Sequence, residues 1–289
     1  MCRFPEGRSL LRLQHHREEV TSHPQSDQSL WKYMDFPKFV SMLDHDGLYF
    51  AVLASMPDKL EGAPRRLPAG TSDSDCDRAR LLFERLTRAA FVNCWHLSDD
   101  ESAAMWRLYG CVAIQTTYER LISATTSRLD PALAEYNRVS DGLVEYVNPD
   151  VETKPERWWK LFQAVLSKRG WYAHEHEFRL IYFDRQLFDG PVSNYSSQEL
   201  DSEEGRARLL SQGACSLRPL TVRGRWVRCS LDVMIRQVVV APDSAPYIEE
   251  AVKAVCSRWG LSPDIVKRSR IEEKPPLLPA LCALDGGWA

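Results

Sequence analysis

The stretch from Ala173 to Phe183, AHEHEFRLIYF, constrains the fold of this chain more than any other. Read as a strand, its alternation puts Glu175, Glu177 and Arg179 on one face and His174, His176, Phe178, Leu180 and Tyr182 on the other. The polar face continues into Ile181 and Phe183, so the acids and the arginine run into the interior rather than along solvent. Carboxylates two residues apart on a strand lie roughly 7 Å from each other, close enough to share one ligand or one cation. Left alone they would raise one another's pKa, and Arg179 is placed to oppose that. The plainer alternative is an exposed antiparallel face carrying a Glu–Arg pair.

A strand of this kind needs partners, and the flanking sequence supplies them. Leu30 to Met34 reads as a strand, Asp35 as the cap of a short helix with Pro37 in its first turn, and Leu48 to Leu53 as a second strand. Within that helix Phe36, Phe39, Val40 and Leu43 make one buried face. A helix over 78–89 and a strand over 91–95 follow. Ser98 with Glu101 reads as a capping box for a helix running to about Tyr109. Val112 to Gln115 is a strand, 118–127 a helix and 142–147 a weak strand. A helix is expected from Lys154 to Lys168, with Gly170 breaking it before the strand at 173–183. Near the end, Gln237 to Ala241, a helix capped by Ser244 and ended by Gly260, and Ile265 to Arg268 form a strand–helix–strand unit.

The expected architecture is α+β: a mixed, mostly antiparallel sheet with helices packed around it and the C-terminal strand–helix–strand unit at one side. Residues 29–270 are read as a single domain. Residues 1–28 form a flexible leader, 189–216 a Ser-, Glu- and Gln-rich insertion loop, and 271–289 a flexible tail.

Composition narrows the function classes. The net charge of −3 and scattered arginines do not indicate a nucleic-acid surface. No apolar run is long enough to span a membrane, and the first 20 residues lack the apolar core of a signal peptide, so the cytoplasm is expected. The eight cysteines show no metal-like spacing and are read as reduced, Cys94, Cys111 and Cys256 as small core residues. Signatures of dinucleotide-binding, phosphate-loop, hydrolase and zinc-protease folds are absent from the chain.

Two further constellations can carry chemistry. On the helix ending at Tyr109, Ser102, Trp106 and Tyr109 form an aromatic stripe, which is either core or a stacking wall for a flat ligand. On the first strand, Trp31 and Tyr33 share a face opposite Lys32, and Tyr33 is the candidate to face a ligand. His174 with His176 could chelate a metal with a third ligand from His96 or a distant Asp, or serve with Glu177 in a metal-dependent hydrolase or nuclease. The better reading is a pair of partly exposed histidines, and no metal is expected.

Several segments together resemble one family. LWKYMDFPKFVSMLDHDGLYF, VNCWHLSDDESAAMWRLYGCVAIQT, KRGWYAHEHEFRLIYF and LDVMIRQVVVAPDSAPYIEEAV are similar, in order and over about residues 30–270, to the mostly bacterial domain of unknown function 2971. One departure follows the second strand: Pro57-Asp58-Lys59-Leu60-Glu61-Gly62 stands where the family carries Asp-Pro-aromatic-Glu-Gly, and only Glu61-Gly62 is kept clearly. The order of elements also resembles ADP-ribosyltransferase-like proteins. That resemblance implies NAD as substrate and ADP-ribosyl transfer or nicotinamide cleavage as the activity. Glu177 or Glu175 would then be the catalytic carboxylate, Trp106 and Tyr109 the stacking wall and Tyr33 the first-strand residue. Lys168 and Arg179 would be the partners of the pyrophosphate, and a small-molecule nucleotide the partner of the protein. The alternative is a non-catalytic ligand-sensing or interaction domain in which Lys168, Glu175, Glu177 and Arg179 form a buried ionic network.

Overall fold

The computed structural model describes residues 22–58, 61–62, 70–126, 139–148, 161–184 and 222–271. The 189–216 insertion, most of the tail and the residues before 22 lie outside these. Ser22 to Gln28, assigned to the leader from sequence, run beside the helix at Tyr118: Tyr118 N–H donates to Gln28 O at 3.1 Å and Glu119 N–H to Ser26 O at 3.0 Å.

The fold is α+β, as expected: a nine-stranded, mostly antiparallel sheet with helices on both faces. Its strands are β1 (Ser29–Met34), β2 (Gly47–Val52), β3 (Ala90–Leu97), β4 (Val112–Thr117), β5 (Val139–Leu143), β8 (Glu177–Phe183), β9 (Gly224–Arg228), β10 (Gln237–Val240) and β11 (Val266–Arg268). A separate parallel pair joins β6 (Glu145–Val147) to β7 (Ser167–Arg169). The helices are α1 (Phe36–Asp44), α2 (Asp73–Ala89), α3 (Ala103–Tyr109), α4 (Tyr118–Thr126), α5 (Leu161–Val165), α6 (Leu231–Met234) and α7 (Pro246–Arg258).

Local signals build the two ends of this order. Asp35 caps α1, its carboxylate accepting from Lys38 N–H at 2.8 Å, and Phe39, Met42 and Leu43 turn inward. The C-terminal unit has β10 and β11 parallel, with Val252 and Cys256 of α7 buried against the sheet. Gly260 ends α7 at φ 78°, although Ser244 does not cap it: the helix starts on Pro246 with no side-chain cap.

One face of the sheet packs on α1, α4, α6 and α7 around Leu30, Phe39, Phe50, Phe91, Trp95, Phe178 and Val252. The other face carries two apolar clusters. One joins Trp31, Tyr33, Met105 and Trp106; the other joins Leu53, Leu86, Val92, Val165 and Ile181. They do not merge, and the polar residues of β3 and β8 lie between them.

Three elements depart from the sequence reading. The strand containing Glu177 begins at Glu177, not Ala173: Gly170–Glu175 is a 3-10 turn, and His176 takes a left-handed conformation at φ 40°. Glu175, His174 and His176 are therefore not strand residues, and the two-sided alternation that grouped them does not apply. The helix expected from Lys154 to Lys168 covers Leu161–Val165 among the described residues, and Lys168 lies in β7. The Ser98–Glu101 capping box is also overturned. Ser98 Oγ donates to Asp100 O at 2.8 Å, while the Glu101 carboxylate accepts from Trp106 Nε1 at 3.1 Å and Arg270 N–H at 2.9 Å. With those groups engaged, Ser102 caps α3 by accepting from Met105 N–H at 3.4 Å. The strand β9 and the short helix α6 were not foreseen; neither has a long periodic pattern. Among the described residues no helix is long and apolar enough to cross a membrane.

Candidate functional site: a fork in the sheet and its ionic wall

The site follows from how β3 is paired. β8 occupies one edge of β3 from Ala90 to His96. Both β2 and β1 must then use the other edge, where β2 pairs with Phe91 and Val92 and β1 with His96 and Leu97. Between them the sheet forks, leaving Asn93, Cys94 and Trp95 without a strand partner on that edge. Buried backbone groups need partners, and side chains fill the gap. Asn93 Nδ2 donates to Tyr49 O at 2.8 Å, and Lys32 Nζ donates to Cys94 O at 3.0 Å.

A cavity of about 160 Å³ opens at the fork, lined by Trp31, Lys32, Tyr33, Cys94, Trp95, His96, Met105, Tyr109, Glu175 and Glu177. Residues one apart on β1 and on β3 point to opposite faces, so a cavity touching all of them passes between the strands. The fork is thus the physical origin of the pocket.

Behind Glu175 and Glu177 stands an ionic wall. Arg179 is fully buried; its Nε donates to Glu177 Oε1 at 2.7 Å and its Nη2 to Glu177 Oε2 at 3.0 Å. Its Nη1 donates to Val165 O at 2.6 Å, and Nη2 also meets Glu61 Oε1. Lys168 Nζ donates to Glu175 Oε2 at 2.6 Å and Glu177 Oε2 at 3.0 Å, with Glu61 at 3.8 Å. Glu61 reaches in from the turn after β2. The same turn holds Asp58, paired with Arg169 of β7 at 2.8 Å. Asp58 and Glu61 thus tie one loop to two successive cations on β7 and to Arg179. Tyr146 completes the wall, its hydroxyl accepting from Glu177 N–H at 2.8 Å.

The charges act on one another strongly. Burial by itself would raise the Glu177 carboxyl, but the charge and hydrogen bonds of Arg179, with Lys168, hold it down at about 2. Glu61 goes the other way: its burial outweighs the pull of Arg179 and Lys168 and raises it. Burial alone would lower Lys168, yet the charges of Glu177 and Glu61 and the bond to Glu175 raise it. Across the fork, burial lowers the Lys32 ammonium to about 8 against the pull of Cys94 and Glu177. The wall brings three carboxylates, Glu61, Glu175 and Glu177, against the two cations Lys168 and Arg179. Of the three, Glu175 and Glu177 line the cavity and Glu61 stands behind them.

The residues singled out from sequence fall into two layers. Tyr33, Tyr109, Glu175 and Glu177 line the cavity together. Tyr109 Oη donates to Glu175 Oε1 at 3.3 Å, and Tyr33 Oη accepts from Ser102 N–H at 2.9 Å. Trp106 does not line it: the indole is buried behind Tyr33, edge to face at 4.8 Å between ring centroids. Arg179 and Lys168 also stand behind the lining, where carboxylates and a backbone carbonyl engage them. They position the acids instead of presenting free donors to a ligand. His96 lines the cavity with Nδ1 2.7 Å from Glu175 O, while His174 and His176 are not paired on a strand face. Among the described residues no group of three or more His, Cys, Asp or Glu side chains is disposed to hold a metal ion.

Sequence reasoning missed Lys32, Cys94 and Trp95 as lining residues and Glu61 as a member of the wall. A lysine between two aromatics on a strand is a usable signal for Lys32. None exists for Cys94 or Trp95, whose exposure to the cavity depends on the fork. Comparison with family models, with curated proteins and with solved structures finds no match to this chain.

Proposed function

We propose that this protein is an NAD-handling enzyme of the ADP-ribosyltransferase-like kind, acting in the cytoplasm and related to the domain of unknown function 2971. The observation that carries the reading is the convergence of Tyr33, Tyr109, Glu175 and Glu177 on one cavity from β1, α3, the 3-10 turn and β8. Cleavage of a nicotinamide–ribose bond builds positive charge at the sugar, and a carboxylate that stays ionised and does not move stabilises it. Glu177 is held ionised by Arg179 and Lys168, and Glu175 is anchored by Lys168 and Tyr109. Tyr109, at 40% exposure, is the aromatic ring free to stack at the mouth.

The size of the cavity sets the pose. About 160 Å³ is below the roughly 300–1,000 Å³ of sites that enclose a whole drug-sized ligand. Only the nicotinamide end would enter the fork, with the nucleotide lying outside it. Lys168 and Arg179 then serve as positioning residues for the carboxylates, not as partners of the pyrophosphate. Incubation with NAD, with and without candidate acceptors, should release nicotinamide in the wild type and at least tenfold more slowly in Glu175→Gln. Background release from the wild type under every condition would remove the proposal.

A second reading is favoured by one observation: both Glu177 oxygens are already bonded to Arg179 and Lys168. In that reading the wall is structural and the domain senses a ligand without turning it over. Raised thermal stability on adding NAD or nicotinamide, with no nicotinamide release, would distinguish it.

A further inference from the structure

The proposed reaction gives no role to the lysine at the fork. Lys32 is the first-strand lysine whose Nζ donates to the Cys94 carbonyl and lies 5.4 Å from the Trp95 ring centroid. Among the described residues its charge is not paired with a carboxylate at salt-bridge distance, whereas Lys168 behind the cavity wall touches two. The amine lines the cavity among Trp31, Tyr33, Trp95 and Tyr109.

We propose that Lys32 is a nucleophilic amine that captures a small, flat, uncharged aldehyde in the fork as an imine. A desolvated lysine in an aromatic pocket is the usual setting for such chemistry, because more of it is present as the free amine. Burial lowers Lys32 to about 8, which works in this direction. The lone pair of the free amine forms the C–N bond to the carbonyl carbon. The carbonyl oxygen takes the proton released by nitrogen and leaves as water after a second protonation. The product is a protonated imine with the same single positive charge as the ammonium it replaces.

The walls select the aldehyde. The Glu177 carboxylate on the cavity wall, which pulls on the Lys32 ammonium, favours the cationic imine and disfavours an anionic substrate. Cavities of about 150 Å³ in other proteins accept a benzene-sized guest, so an aromatic aldehyde fits the space here. This inference does not depend on NAD being a substrate.

The test is reductive trapping on the full chain. Native protein is incubated with benzaldehyde and cyanoborohydride at pH 7.5, then peptide-mapped by mass spectrometry, with glyoxylate as the anionic comparator. Benzylation of Lys32 should be saturable and on the order of tenfold or more faster than at other lysines. That preference should disappear when the same reaction is run in denaturant. The native-to-denatured ratio needs no variant, and Lys32→Arg, if folded, should lose the adduct. Labelling spread over other lysines with Lys32 unmodified in the native protein would overturn the proposal. Equal trapping of glyoxylate at Lys32 would overturn the assignment to uncharged aldehydes.

Discussion

Arg179 grips Glu177 from two positions further along the same strand, Nε to one carboxylate oxygen at 2.7 Å and Nη2 to the other at 3.0 Å. Both side chains are on the same face of β8 and both are buried. A fork-to-fork contact of this kind is geometrically specific, and here it fixes the orientation of the carboxylate that meets the cavity.

Because the pair is buried, removing one charge leaves the other uncompensated. Glu177→Gln should lower the unfolding free energy by about 3–5 kcal/mol. Glu61 still touches Arg179, which places the value near the lower end. Urea unfolding of wild type and variant measures it. A difference below about 1 kcal/mol would mean that the wall does not carry stability.

The same carboxylate sets an acid dependence. Its pKa falls from 4.5 to about 2 in the folded chain, so the folded state binds the proton less well than the unfolded state. The stability contributed by Glu177 is complete above pH 4.5 and is lost as pH falls from there toward 2, about 3 kcal/mol in all. Glu61, raised by burial, works in the opposite sense. The wild type should therefore be compared with Glu177→Gln at pH 7, 4 and 2.5. The gap between their unfolding free energies should shrink across that series.

Gly110 follows α3 at φ 129°, and a Cβ there would lie 2.7 Å from both Asp35 N and Met34 O. The glycine lets the end of α3 meet the end of β1, which brings Tyr109 beside Glu175. Gly110→Ala should cost about 2 kcal/mol or more, combining backbone strain with a clash against main chain. A thermal melt would register this as a shift of several degrees.

Tyr109→Phe separates chemistry from stability. The hydroxyl reaches Glu175 at 3.3 Å from a ring that is partly exposed, so its loss should change stability by less than about 1 kcal/mol. Nicotinamide release should nevertheless fall, because Glu175 loses one of its two side-chain anchors. Full retention of that release would detach Tyr109 from the site.

Some of this arrangement is local and was legible in the chain. Asp35 before Phe36-Pro37, the spacing of Val252 and Cys256, and Gly260 after Trp259 are short-range signals, and each element they announce is present. The alternation of Glu177, Arg179 and Ile181 was enough to put the acid and the arginine on one inward face. Where local signals competed for one group, they misled. The Glu101 carboxylate could serve Ser98 or Trp106, and only the packed indole decided between them.

By itself, then, the sequence determined the α+β class, the two strand–helix–strand ends and the pairing of Glu177 with Arg179, because each depends on neighbours within a few residues. Tertiary structure decided the rest. It moved Glu175 off the strand into a turn, where Lys168 of β7 and the distant Tyr109 hold it. It brought Glu61 to Arg179 across 118 positions. It also opened the fork, because β1 and β2 share one edge of β3 and leave three residues between them. Which strands share an edge is set by long-range pairing, and periodicity along the chain carries no record of it.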